Sequence, residues 1–226
     1  MTDLHVLRVF LGPGGSGGNG LGVFVDGSKV PRKRRQAVAA DLGFAETVFV
    51  DEVSNGAARI AIFTPGTELA FAGHPTVGTA WLLDRLGQPV ETLRPPAGDV
   101  RTWREGELTW IRARGEWVHD IRLVEYATAA EVDMLVPPPM GDQGMYAWAW
   151  EDAGSGQLRS RYFGTDIGIP EDEATGAAAV LMGAKLGRPL TIRQGVGSQL
   201  HVRPGPDGMV EVGGRCGFLE SREYKA

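Results

Sequence analysis

Three residues of this chain combine an ionisable side chain with a local pattern that could put it to chemical use. His74 stands in "ELAFAGHPTVGTAWLL", residues 68–83, directly before an apolar stretch with helical spacing. Pro75 suits the first position of a helix, where its missing N–H is one the helix leaves unpaired anyway, so His74 is expected at the N-cap with Gly73 just outside. The free N–H groups of that first turn, together with the helix dipole, attract anions. Asp172 and Thr175 precede a second helix start in "PEDEATGAAAV". Glu46 alternates with Val48 and Val50 in "GFAETVFV", so on a strand it shares their face. A carboxyl against a buried apolar face is harder to ionise, which lets such a group serve as both base and acid near neutral pH. Each residue also has a plainer use. His74, Asp172 and Thr175 are ordinary capping residues, and Glu46 would do as a surface residue at a strand edge.

Positioning these groups falls to short strands and a few helices. "HVLRVF", "LGVFV", "ETVFV", "ARIAIF", "LTWIRA", "MYAWAW", "LRSRYF", "LHVRP" and "MVEVGG" alternate and are bounded by Gly, Pro, Asn or Asp, which predicts strands. Helices are predicted at Pro31 to Leu42, Pro75 to Leu86 and about Ala174 to Leu186, the last two apolar all round as if buried on most sides. Gly87 and Gly187 follow those two where a left-handed cap is wanted. Arg59, Phe63, Leu86 and Gly87 recur as Arg159, Phe163, Leu186 and Gly187, so a strand, a loop and an apolar helix repeat along the chain. The expectation is an α+β chain of two related halves, residues 1–115 and 116–226, divided near Gly115 and built on separate sheets rather than one continuous sheet. Two helix N-termini can then converge on one cleft, which would suit a small carboxylate-bearing ligand.

Composition narrows the partners. The 226 residues are 42% hydrophobic and 23% charged, with 33 Gly and 14 Pro, as in a turn-rich globular protein that can bury a real core. A net charge of −5 gives no electrostatic footprint for nucleic acid, and no apolar run approaches bilayer length, so neither nucleic acid nor membrane is an expected partner. "MTDLHVLRVF" lacks the basic start and apolar block of a signal peptide, and Cys216 is the only cysteine, so a cytoplasmic protein without an intrachain disulfide is expected. "LGPGGSGGNG" has no Lys-Ser/Thr for a phosphate loop and is expected as a mobile loop. "PRKRRQ" is expected to form a solvated helix face. His5, His74, His119 and His201 show no metal-ligand spacing, so no metal is expected.

Taken together, "RIAIFTPGTELAFAGHPTVGTAWLL", "AETVFV", "GIPEDEATGAAA" and the late "RQG…VEVGG" resemble the PhzF-type phenazine-biosynthesis isomerases, within the diaminopimelate epimerase-like superfamily. The resemblance implies two pseudo-repeated lobes, each a curled, mainly antiparallel sheet around a central apolar helix, with the active site between them. It implies a cofactor-free isomerase, a homodimer, that moves a proton between carbons of a small, cyclic amino or hydroxy acid. Glu46 matches the family's proton-transferring glutamate, while His74 and Asp172 match the residues that hold substrate and support the transfer. Gly73, Gly176 and Ala177, beside Thr175, match positions at the ligand carboxylate. Ala177 stands where the family usually has Ser, which removes a side-chain hydrogen bond worth about 0.5–1.5 kcal/mol. The chain is also expected to be shorter than its family between His119 and Met145. The superfamily's two-thiol racemases are excluded by the single cysteine, and a catalytically silent small-carboxylate-binding protein of the same fold is the alternative.

Overall fold

The computed structural model describes residues 2–118 and 120–225; His119, one of the four histidines without metal-ligand spacing, lies outside them. The chain opens with β1 (Thr2–Leu11), β2 (Gly17–Phe24), α1 (Arg32–Leu42), β3 (Glu46–Ser54), β4 (Ala57–Phe63) and the two-residue β5 (Glu68–Leu69). Then come α2 (Gly73–Arg85), β6 (Thr92–Arg94), β7 (Val100–Glu105) and β8 (Leu108–Ala113). The remainder holds β9 (Leu123–Glu125), α3 (Ala129–Asp133), β10 (Met145–Asp152), β11 (Gln157–Gly164), β12 (Ile169–Asp172), α4 (Gly176–Leu186), β13 (Leu190–Gln194), β14 (Ser198–Pro204) and β15 (Val210–Tyr224).

Eight strands close a ring in the order β1-β2-β3-β4-β6-β7-β8-β15, because β15 pairs antiparallel with both β8 and β1. The apolar α2 runs through it, packed on strands from around the ring, and all of Gly73–Ala80 together with Leu82 and Leu83 is buried. Alternation supplies the lining: Val9, Leu21, Val48, Ile60 and Ile111 turn inward against Val77 and Leu82. The outer face near α1 has its own cluster, in which the Phe24 and Phe49 rings stack and Val38 of α1 covers them.

From β15 the same sheet continues as β14-β13-β11-β10-β9, with β12 on the flank of β11. This part stays open, ending at β9. The second apolar helix, α4, rests on β14 and β15 with the Gly115–Trp117 turn against it, and Ala184 and Lys185 remain exposed. One hydrogen-bonded path therefore runs through both halves, which corrects the expectation of separate sheets. The reason is β15: it lies well beyond the division at residue 115, yet it completes the ring around α2.

The repeat is present in the sense of the pairings. β3–β4 and β4–β5 are antiparallel, α2 follows, and β6 lies parallel to β4. Likewise β10–β11 and β11–β12 are antiparallel, α4 follows, and β13 lies parallel to β11. Even the register recurs, with Arg59 opposite Arg94 and Arg159 opposite Arg193. Gly87 and Gly187 both take left-handed φ, 76° and 61°, just past their helices.

Several local expectations need correction. Helix α2 begins at Gly73 with Ala72 as N-cap, so His74 and Pro75 sit inside the first turn rather than at its edge. Helix α4 begins two residues later than expected, because the Ala174 carbonyl accepts from Asn19 and the Thr175 N–H donates to Gln194, which keeps both residues outside the helix. The glycine-rich stretch is a tight turn followed by strand, with Gly17–Gly20 paired to β1. In α1, Arg35 is buried in a salt bridge with Asp51, so that basic run is only partly a solvated face.

Candidate active site

The N-termini of α2 and α4 meet back to back. A Cβ on Gly73 would lie 2.9 Å from the Gly176 carbonyl carbon, and one on Gly176 would lie 2.7 Å from the His74 nitrogen, so only glycine permits this approach. Neither helix has a side-chain cap: Ala72 has no oxygen to offer, and the Thr175 hydroxyl is given to Asp172. Two uncapped helix starts thus place unpaired N–H groups and the positive ends of two dipoles at one spot.

Glu46 opens β3 on the same face as Val48 and Val50, which join the core around α2. Its Oε2 lies 2.8 Å from His74 Nδ1, and the two side chains keep only 17% and 3% of their exposure. The Glu46–His74 contact is a short, charge-assisted one rather than a well-aligned hydrogen bond, and the Gly20 backbone lies beside the imidazole as a second partner. Burial pulls the imidazole pKa down, but the adjacent Glu46 carboxylate, helped by Asp172, more than offsets this and holds it above its ordinary value.

Asp172 ends β12 and is held from both sides. Asn19 Nδ2 donates to its Oδ1 at 2.6 Å, and Thr175 Oγ1 donates to its Oδ2 at 2.6 Å. Gln194 Nε2 donates in turn to Thr175 Oγ1 at 2.8 Å and to the Asp172 carbonyl at 3.0 Å. Burial pushes the Asp172 carboxyl up to about 6 and the Glu46 charge adds to this, while the Thr175 and Asn19 hydrogen bonds and His74 pull back. Tyr162 stands opposite Asp172 in the β11–β12 ladder, its phenol pushed up to about 12 by burial and so neutral at ordinary pH.

The fold therefore brings Glu46, His74 and Asp172 together at the junction of the two halves, with Gly73, Thr175 and Gly176 beside them. Ala177 lies half-buried in the first turn of α4, packed against the core. Sequence reasoning missed Asn19 and Gln194. Asn19 was hidden in the glycine run, where a lone amide flanked by glycines was the available signal, and Gln194 stood in the quoted "RQG". Cys216 lies in β15, its thiol pushed up to about 12 by burial. Among the described residues no three His, Cys, Asp or Glu side chains, the Glu46–His74–Asp172 group included, are placed so as to hold a metal ion.

The closed strand ring threaded by an apolar helix is a fold shared with PhzF-family and epimerase-like structures. Residues 14–105 match the family described as phenazine biosynthesis-like protein. The trans-2,3-dihydro-3-hydroxyanthranilate isomerase of Pseudomonas fluorescens is 30% identical over 230 residues, covering 79% of this chain and 81% of that enzyme. An uncharacterized isomerase of Pasteurella multocida is 38% identical over 146 residues, 63% of this chain but 49% of that protein. The crystal structure of an Enterococcus faecalis PhzF-family protein has the same fold, with a TM-score of 0.82 at 18% identity over 100% of this chain and 99% of that one. The chain belongs to the PhzF family of phenazine biosynthesis-like proteins, and both of these relatives are isomerases by name.

Proposed function

We propose that the chain is a cofactor-independent isomerase that moves a proton between carbons of a small, cyclic amino or hydroxy acid. The observation that carries this is the Glu46–His74–Asp172 cluster set against two uncapped helix N-termini. The substrate carboxylate docks on the first-turn N–H groups around Gly73, Gly176 and Ala177, where the dipoles favour negative charge. Glu46 takes the proton from the acidic carbon, and the released C–H electron pair moves into the adjoining double bond. The same carboxyl then returns the proton to the carbon at the far end, on the same face of the ring. His74 faces Glu46 and balances its charge as it changes. Asp172 accepts a hydrogen bond from the amino or hydroxyl group.

The substrate of the relatives is the first to try, since it is cyclic and carries carboxylate, amino and hydroxyl groups. Ala177 offers no hydroxyl, so the class rather than that one compound is proposed. Incubation in D₂O with purified protein tests the reading. Because a nearly buried carboxyl exchanges slowly with solvent, isomerised product should retain part of its original hydrogen. Binding of these acids without isomerisation or exchange at carbon would instead identify a silent carboxylate-binding protein.

A further inference from the structure

Glu173 plays no part in the reaction above, yet its carboxylate is among the most fully satisfied in the chain. Oε2 accepts the Val196 N–H at 2.9 Å, while Oε1 accepts the Gly197 N–H at 3.2 Å and the Ser198 hydroxyl at 2.7 Å. Ser198 Oγ accepts the Gly18 N–H at 2.8 Å, and the Ser16 hydroxyl reaches the Gly197 carbonyl at 3.2 Å. The carboxylate thus sits between two turns, one at the start of β2 and one joining β13 to β14.

Two glycines make room for it. Gly17 and Gly195 both take left-handed φ, 61° and 58°. A Cβ at Gly195 would fall 2.1 Å from Oε2, and one at Gly17 would fall 2.7 Å from Oε1. Successive N–H groups around a left-handed residue form a nest for an anion, and here the anion is the protein's own side chain. The β13–β14 turn has no apolar anchor of its own, since Val196 at its tip is 91% exposed. What holds it down is Glu173.

The gripped segments are also those that fix Asp172. Asn19, next to Gly18, donates to Asp172 Oδ1 and to the Ala174 carbonyl. Gln194, next to Gly195, donates to the Asp172 carbonyl and to Thr175. Glu173 itself lies between Asp172 and Ala174. We infer that Glu173 is a positioning residue: by tying the β13–β14 turn to the start of β2 across the two halves, it holds Asn19 and Gln194 in place on the Asp172 carboxylate. This rests on the reading of Asp172 as a substrate-holding group.

The test compares wild type with Glu173→Ala and Glu173→Gln by NMR and kinetics, with sodium formate as the probe of the vacated nest. In Glu173→Ala the amides of Gly18, Val196 and Gly197 should lose protection from hydrogen exchange while β10 and β11 keep theirs. The Asn19 side-chain amide resonance should move away from its Asp172-bonded position. Turnover should fall about tenfold, the scale of one lost charge-assisted hydrogen bond, with the melting temperature nearly unchanged. Formate should restore the Asn19 resonance and the turnover together, and Glu173→Gln, which keeps size and one acceptor, should lie between. An Asn19 resonance and turnover that stay at wild-type values in Glu173→Ala would overturn the inference, as would a shift that neither formate nor the Gln variant corrects. Should wild type itself isomerise none of the acids, the functional reading fails on that result alone, while the Asn19 resonance still decides the role of Glu173.

Discussion

Two apolar helices in corresponding places of the repeat have met different fates in this molecule. Helix α2 is surrounded by eight strands, and its residues from Gly73 to Ala80 are all buried. Helix α4 rests against an open sheet, with Ala177 and Leu181 only half-buried and Ala184 exposed. The difference follows from closure: β1 and β2 give the first half the extra strands with which β15 can shut the ring, and the second half stops at β9. The site draws on both. Glu46 and His74 stand on the closed side, fixed by dense packing, whereas Asp172 stands on the open side, fixed by a chain of hydrogen bonds from Asn19, Thr175 and Gln194.

The largest expected effect separates the two acids by role. Glu46→Gln keeps size and most contacts but cannot take up a proton, so turnover should drop about 10²–10⁴-fold with ligand affinity near normal. Asp172→Asn should weaken binding and turnover together, and His74→Ala should do the same. Steady-state kinetics with calorimetric binding would show this, and a Glu46→Gln enzyme working at the wild-type rate would send the search for the base to Asp172.

Packing is the next contrast. Leu82 is fully buried inside the ring, so Leu82→Ala should cost about 2–5 kcal/mol in urea unfolding. Leu181, half-buried on α4, should cost about half as much or less on truncation to Ala, in proportion to the apolar surface it removes from water. Equal losses would mean that α4 is as well enclosed as α2.

A smaller effect concerns pH. Folded Asp172 keeps its proton up to about 6, whereas an unfolded carboxyl releases it near 3.8. Between those values the folded chain binds more protons than the unfolded one, so this group's contribution to stability is lost as pH rises through the window. His74 acts in the same direction higher up: its raised value gives stability that is full below 6.5 and is lost as pH rises through the folded value. The stability of wild type and of Asp172→Asn, followed by urea unfolding from pH 4 to 7, should therefore differ in slope by up to about 1.4 kcal/mol per pH unit inside that window, the effect of one proton. Matching slopes would show that the open side does not desolvate its acid. The smallest effect is none: EDTA and iodoacetamide should leave turnover unchanged, because the proposed reaction draws only on carboxyl, imidazole and backbone groups, and burial pushes the Cys216 thiol well above neutral pH.

The legibility of these features in the sequence tracks their range. Glu46, His74 and Asp172 could be singled out because each lies in a short motif whose neighbours constrain its direction, such as Val48 and Val50 beside Glu46. The alternation in "ARIAIF" or "MYAWAW" likewise announced strands that are present. Asn19 could not be read in this way, since its partner Asp172 is 153 positions along the chain. The short β6 was overlooked because three residues hold too few alternations to register, and β7 because "VRTWRE" puts polar residues on both faces. The starts of α2 and α4 each differ by two residues from expectation where a tertiary contact, Gly73 on Gly176 or Asn19 on Ala174, decides where helical geometry can begin.

Strand β15 also has a consequence in time. Its residues pair with β1 from Thr2 opposite Tyr224 onward, so the ring around α2 joins the two most distant stretches of the described chain. Contacts so far apart in sequence make folding slow, because a long loop must be closed before they form. During synthesis the first half exists for a while as an open sheet, with β1 and β8 as bare edges and α2 unsheathed, until β15 emerges from the ribosome. Such edges are prone to wrong partners. Removing the last strand would accordingly damage the core of the first half, at the opposite end of the polypeptide from the cut.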